Sequence, residues 1–116
     1  MPPSATEFAV AIERCWSRAT ASVYTSANPA RGQCSVTALL AQDCFGGDIL
    51  KTRVGDAWHF YNFVKGERLD FTASQFDDPI LYEDIESGRD DAFTDTTPMQ
   101  YRALRAAFRA QGSERE

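Results

Sequence analysis

Histidine occurs once in this chain, at His59, and cysteine three times, at Cys15, Cys34 and Cys44, with no C-x-x-C pair. So few soft ligands exclude a structural zinc centre. An odd number of thiols also leaves any disulfide framework with one residue over. Basic charge is short too: 12 Lys+Arg against 17 Asp+Glu give a net charge of −5. The field that non-specific nucleic-acid binding needs is therefore missing. Near the start, the longest apolar run, Phe8-Ala9-Val10-Ala11-Ile12, stops at Glu13-Arg14, too short for a membrane span or a signal-peptide core. No phosphate-cradling glycine pattern, calcium-loop spacing, internal repeat or low-complexity tract is present. A soluble cytoplasmic protein is expected, without metal or cofactor.

What is there fits a single domain over 1–116, since 116 residues with 43% hydrophobic content can bury one core and not two. Residues 1–3 and 112–116 are expected to fray. Ser4 with Glu7 is a capping-box pattern, and Phe8, Ile12, Cys15 and Ala19 follow it at helical spacing, which makes Cys15 core filler. Residues 20–32 are loop-like, with Asn28-Pro29 and Gly32 as breakers. A second helix runs from about Gln33 to Phe45, apolar on most sides and ended by Gly46-Gly47, which marks a central buried helix. Three strands follow, Ile49–Val54, Trp58–Val64 and Arg68–Thr72, joined by turns at Gly55-Asp56 and Lys65-Gly66 in an antiparallel meander. Residues 77–96 form an acidic, loop-rich segment with at most a short helix: eight acidic residues between Asp77 and Asp95 face only Arg89. The last helix starts at Thr97-Pro98. Its Arg102, Arg105 and Arg109 stripe is expected to answer the acidic segment. The fold class is α+β, a Cys-bearing helix packed on a small antiparallel sheet.

The chemistry-bearing stretch is Gly32-Gln33-Cys34-Ser35, just before the buried helix. A thiol in a helix's first turn meets the positive end of the dipole and unpaired N–H groups, both of which favour thiolate. Catalysis by such a thiol needs a base and usually a group that orients the base. The only histidine lies in the aromatic strand Trp58-His59-Phe60-Tyr61-Asn62-Phe63, where alternation puts His59, Tyr61 and Phe63 on one face. If the hairpin closes on Lys65-Gly66, or on a four-residue loop from Val64 to Glu67, His59 opposes Thr72 and becomes a diagonal neighbour of Asp70. A one-residue change of register would separate them. If the buried helix packs across that face, Cys34, His59 and Asp70 meet as nucleophile, base and orienter. Gln33 is then a candidate oxyanion donor beside the Cys34 N–H. Trp58, Tyr61, Asn62 and Arg31 are candidate substrate contacts, Arg31 as a steering charge for an anion.

Trp16-Ser17 with Thr20, Asn28-Pro29-Ala30-Arg31-Gly32-Gln33-Cys34-Ser35-Val36-Thr37-Ala38-Leu39, Gln42-Asp43 and Phe45-Gly46-Gly47-Asp48-Ile49-Leu50 resemble the small bacterial YunG-like family. So do His59-Phe60-Tyr61-Asn62 and Leu69-Asp70-Phe71-Thr72 with Gln75-Phe76, the whole spanning about residues 16 to 76 in one order. That family is largely uncharacterised, so the resemblance implies no activity. The order of cysteine at a helix start, histidine on a strand and aspartate on the next is also similar to papain-like cysteine hydrolases and their transglutaminase and deamidase relatives. It implies a minimal core of that kind. In the papain pattern the oxyanion glutamine stands several residues before the cysteine, whereas Gln33 adjoins Cys34, which leaves capping or loop support as its other role.

The expected function is thiol-dependent acyl chemistry on an amide or thioester of a small-molecule or peptide substrate, as a hydrolase, deamidase or acyl transferase. The alternative is a non-catalytic module that binds a small ligand or protein, with the aromatic strand as its wall. The acidic segment is the candidate contact for a basic protein partner.

Overall fold

The computed structural model describes residues 3–114 and opens with the expected capping box. Ser4 Oγ accepts from the Glu7 N–H at 3.1 Å, and the Glu7 carboxylate accepts from the Ser4 N–H at 2.9 Å. The helix it starts, α1 (Ala5–Glu13), buries Phe8 and Ile12. Cys15 is buried as the spacing predicts, but the helix ends before it and Ala19 is exposed. The chain leaves the helical path because Trp16 turns into the core, where its indole N–H donates to Thr37 Oγ1 at 3.0 Å. Ser17 and Thr20 then close a side-chain turn: Thr20 Oγ1 accepts from the Ser17 N–H at 3.0 Å and lies 2.9 Å from Ser17 O.

Helix α2 (Cys34–Phe45) is the centre of the molecule, with every residue from Cys34 to Ala41 buried. Gly46 and Gly47, both at positive φ, end it and turn the chain into the sheet. Gly47 is required there, since a Cβ would lie 2.5 Å from the Phe63 carbonyl oxygen. Four antiparallel strands follow: β1 (Asp48–Val54), β2 (Ala57–Val64), β3 (Glu67–Leu69) and β4 (Ile85–Glu86), in the order β3-β2-β1-β4. Lys65 and Gly66 both take positive φ (50° and 81°), as a two-residue type I′ turn demands. They pair Val64 with Glu67 and Asn62 with Leu69, the expected register.

Two features of the sheet depart from expectation. β3 stops at Leu69, because the Asp70 carboxylate accepts the Thr72 N–H at 3.2 Å and bends the chain into a 3₁₀ turn at Ala73–Gln75. The acidic segment also contributes a strand, β4, and then the short helix α3 (Arg89–Ala92). Sheet residues answer its charge: Lys51 pairs with Asp91 at 2.7 Å and Arg68 with Asp84 at 2.6 Å. Among the described residues, the salt bridges do not involve Arg102, Arg105 or Arg109. The segment meets the last helix through Phe93 and Arg89 on the Tyr101 ring, while its acids pair with the sheet and not with the arginine stripe.

Helix α4 (Pro98–Glu114) is capped by Thr97, whose hydroxyl accepts the Gln100 N–H at 3.1 Å, and it buries Tyr101 and Leu104. Met1, Pro2, Arg115 and Glu116, where part of the expected fraying falls, lie outside the described residues. One aromatic cluster ties the layers together: the Phe8 ring sits 5.4, 4.6 and 5.2 Å from those of Phe45, Phe71 and Phe108. No helix among the described residues is long and apolar enough to cross a membrane.

Candidate functional site

The hairpin register does what the spacing predicts for two of the three expected catalytic side chains. His59 Nε2 and Asp70 Oδ2 are 2.7 Å apart, with the side chains only 1% and 5% exposed. Asp70 is held from all sides: Oδ2 also accepts from the Tyr82 hydroxyl at 2.8 Å, and Oδ1 from the Thr72 N–H and hydroxyl at 3.2 and 3.4 Å. The Phe76 ring meets the imidazole edge-on, with centroids 5.0 Å apart, and the Tyr61 ring stacks beside it. In the neutral ring, donation from Nε2–H to Asp70 leaves Nδ1 as the acceptor. That atom is buried and makes no hydrogen bond. Tyr82, with its hydroxyl on Asp70, is a member of the site that the sequence did not single out, since nothing in its spacing separates it from core aromatics.

The third residue arrives from the other side of the sheet. Asn62 Nδ2 donates to Ala38 O at 3.0 Å, and Ile49 and Phe60 belong to the core around α2, so the helix covers the Phe60–Asn62 face. His59 and Tyr61 face away from it. The condition for a direct meeting on one face is not fulfilled, and the reason is chemical. Ile49 and Phe60 offer an apolar surface for an all-round apolar helix. The opposite face carries Thr52, His59 and Tyr61, whose polar atoms take partners from the 70–84 segment. Cys34 nevertheless sits close to β2. The β2–β3 ladder ends at Asn62 and Leu69, two residues short of Phe60, and the free Phe60 amide faces the Cys34 sulfur. Thiol and imidazole are thus attached to, and held by, consecutive residues of one strand, though no hydrogen bond joins them.

The expected thiolate is not favoured in this resting arrangement. Burial, and the charges of Asp95 and Asp70, push the Cys34 thiol up to about 12, against the Phe60 and Ser35 amides, which act to lower it. Desolvation outweighs the helix end because the sulfur is almost sealed, with the residue 7% exposed. Cys34 Sγ points to Asp95 Oδ2 at 3.9 Å. Asp95 is a second side chain that sequence reasoning missed: one of eight acids in its segment, it has no pattern that distinguishes it. Burial raises its own carboxyl above the ordinary value.

The remaining candidates are distributed as follows. Gln33 is fully buried, its Oε1 accepting from the Thr20 hydroxyl at 2.8 Å and its Nε2 directed at Ser17 O at 3.5 Å, so its amide braces the preceding loop. Tyr61 is committed to Asp84, donating to Oδ1 at 2.7 Å and accepting the Asp84 N–H at 2.9 Å, while Asn62 is committed to Ala38. Trp58 is 37% exposed and lies under Lys51 and Arg53, at 4.4 and 4.6 Å from the ring centroid. Arg31 is exposed. Among the described residues no cluster of His, Cys, Asp or Glu is placed to hold a metal ion.

A groove of about 430 Å³ opens beside this centre, between the loop at 21–23, Gly32 and the start of α4, with Asp95 on its wall. Gly32, at φ +77°, is fixed in this wall, because a Cβ would lie 2.3 Å from Val23 Cγ2.

Residues 4–113 match the family model described as YunG protein. The chain is 52% identical over 97 residues to the uncharacterized protein YunG of Bacillus subtilis (strain 168), covering 84% of each chain. No solved structure matches it.

Proposed function

The chain belongs to the YunG family, and from the geometry of its buried site we propose that it performs thiol-dependent acyl chemistry on an amide or thioester. Cys34 is the nucleophile, His59 the base and Asp70 the group that orients the base. One observation above the others supports the reading: a buried imidazole is locked through Nε2 to a fully hydrogen-bonded carboxylate, its other nitrogen has no partner, and the next residue's amide faces a cysteine sulfur. A structural histidine of this burial normally has both nitrogens satisfied. The order of the three residues along helix and strands is similar to that of papain-like enzymes, an analogy at the level of the site.

In the reaction the Cys34 thiol proton passes to His59 Nδ1 as sulfur adds to the carbonyl carbon. The Cys34 N–H, unpaired in the first turn of α2, donates to the oxyanion. His59 Nδ1–H then protonates the departing amine or thiol, leaving an acyl thioester on Cys34. Water, deprotonated by Nδ1, cleaves the thioester to an acid and the free thiol; an amine in its place gives transfer. Gln33 acts by holding the loop before Cys34.

The test is acylation by p-nitrophenyl acetate, followed by nitrophenolate release and the acetyl mass on the protein. Acetylation of Cys34 is expected to fall about a hundredfold in His59→Ala and to vanish in Cys34→Ala. Equal acetylation of Cys15, Cys34 and Cys44, or an unchanged rate in His59→Ala, would refute the enzyme reading.

A further inference from the structure

The groove beside Cys34 has one charged side chain on its lining, Asp95, among the described residues. Several of its other polar groups are already engaged. Thr97 Oγ1 accepts from the Gln100 N–H, Gln100 Oε1 accepts from Thr96 and Thr97, and Thr94 Oγ1 donates to Asp91 O. The positive end of α4 is therefore closed by its own cap, and the wall offers an entering molecule a single carboxylate. The Asp95 carboxylate is the boundary between groove and thiol, on the wall of the one and 3.9 Å from the sulfur of the other. A chain of net charge −5 also draws cations toward such an opening.

We propose that this groove binds the ammonium end of an aminoacyl substrate, with Asp95 as the residue that receives it and presents the adjoining carbonyl to Cys34. The proposal rests on Cys34 as the nucleophile and names the substrate class for that reaction. The class follows from distances. An ammonium held by a carboxylate lies at about 2.8 Å from oxygen, and an attackable carbonyl carbon at about 3–3.5 Å from sulfur. With oxygen and sulfur 3.9 Å apart, ammonium nitrogen and carbonyl carbon lie at most about 10 Å apart, a limit that the one- or two-carbon spacers of α- and β-amino acyl groups satisfy. The fitting compounds are amides and thioesters of short amino acyl groups, α- and β-amino acyl among them, and not anions. Asp95 then has a second effect: as bare carboxylate it opposes ionisation of the thiol, and when it pairs with an ammonium that opposition is removed. The nucleophile is released by the substrate it is meant to attack.

The experiment uses the Cys15→Ala/Cys44→Ala protein, in which Cys34 is the sole thiol. Three methanethiosulfonates are compared, carrying an ethylammonium, a methyl and an ethylsulfonate group. In each the thiolate attacks the sulfenyl sulfur and methanesulfinate leaves, giving a mixed disulfide. The cationic reagent is expected to outpace the anionic one by roughly tenfold more than it does on the same chain unfolded in urea. Asp95→Asn should abolish that excess, and Ser22→Trp, at an exposed position on the groove, should slow all three reagents. Glycinamide should protect Cys34 from the methyl reagent, and acetamide should not. A charge preference equal to that of the unfolded chain, no change in Asp95→Asn, or equal protection by the two amides would overturn the proposal. These readings concern entry alone: an intact preference in a protein whose acetylation ignores His59→Ala keeps the ammonium site and removes the acyl reaction.

Discussion

Exchanging Asp70 for asparagine keeps the size of the side chain and inverts its hydrogen-bond logic. In the native protein Oδ2 accepts from both His59 Nε2 and Tyr82 Oη, at 2.7 and 2.8 Å. An asparagine that keeps Oδ1 toward the Thr72 N–H and hydroxyl must turn its amide nitrogen toward the imidazole. Two donors cannot face each other, so the neutral ring must move its proton from Nε2 to Nδ1. The Tyr82 hydroxyl must rotate to accept. Loss of a charge-assisted bond at a site this buried costs about 1.5–3 kcal/mol. At roughly 4 °C per kcal/mol for a domain near this size, Tm should fall by about 6–12 °C. Catalysis should suffer more than stability, because Nδ1 then carries a proton and no longer accepts one from Cys34. Because His59 is the chain's only histidine, nitrogen NMR of the imidazole needs no assignment. The native spectrum is expected to show a protonated Nε2 and a bare Nδ1, and Asp70→Asn the reverse. The same tautomer in both proteins, with an unchanged Tm, would refute the argument.

Two further outcomes follow from burial. The Cys34 thiol, raised from 9.0 to about 12, keeps its proton in the folded chain over a range where the unfolded chain releases it. Its contribution to stability is therefore complete below about pH 9 and is lost as pH rises toward 12. Urea midpoints between pH 8 and 10.5 should fall less steeply in Cys34→Ala than in the native chain; parallel curves would contradict this. Phe8, fully buried among three other phenylalanine rings, should cost about 3–5 kcal/mol on replacement by alanine. The measurement is denaturant unfolding, and a loss under about 1 kcal/mol would mean that the ring cluster does not join the layers as described.

Much of the fold was legible because local signals and global packing agree. Ser4 with Glu7 marks the start of α1, the all-round apolar run from Cys34 to Ala41 marks a central helix, and Lys65-Gly66 sets a register that delivers Asp70 to His59. Other features lay outside the reach of pattern. Ile85-Glu86 is too short to show any period, and its strand exists only because the edge of β1 is available. Alternation divided the residues of β2 between two faces without indicating which one α2 would take. That choice was made by Ile49 and Phe60 against Thr52, His59 and Tyr61. The Cys34 thiol was misjudged because a helix start predicts a field and not the loss of solvent that opposes it. Asp95, remote in sequence from Cys34, had no signal at all.

The outer members of the sheet have three and two residues, β3 and β4. A foreign chain seeking a template for cross-β growth would find ladders only a few rungs long at either side, while the seven- and eight-residue strands β1 and β2 stand shielded between them. Brevity at the margins, which at first sight looks like an unfinished sheet, denies the long aromatic strands at the centre a free edge on which such growth could start.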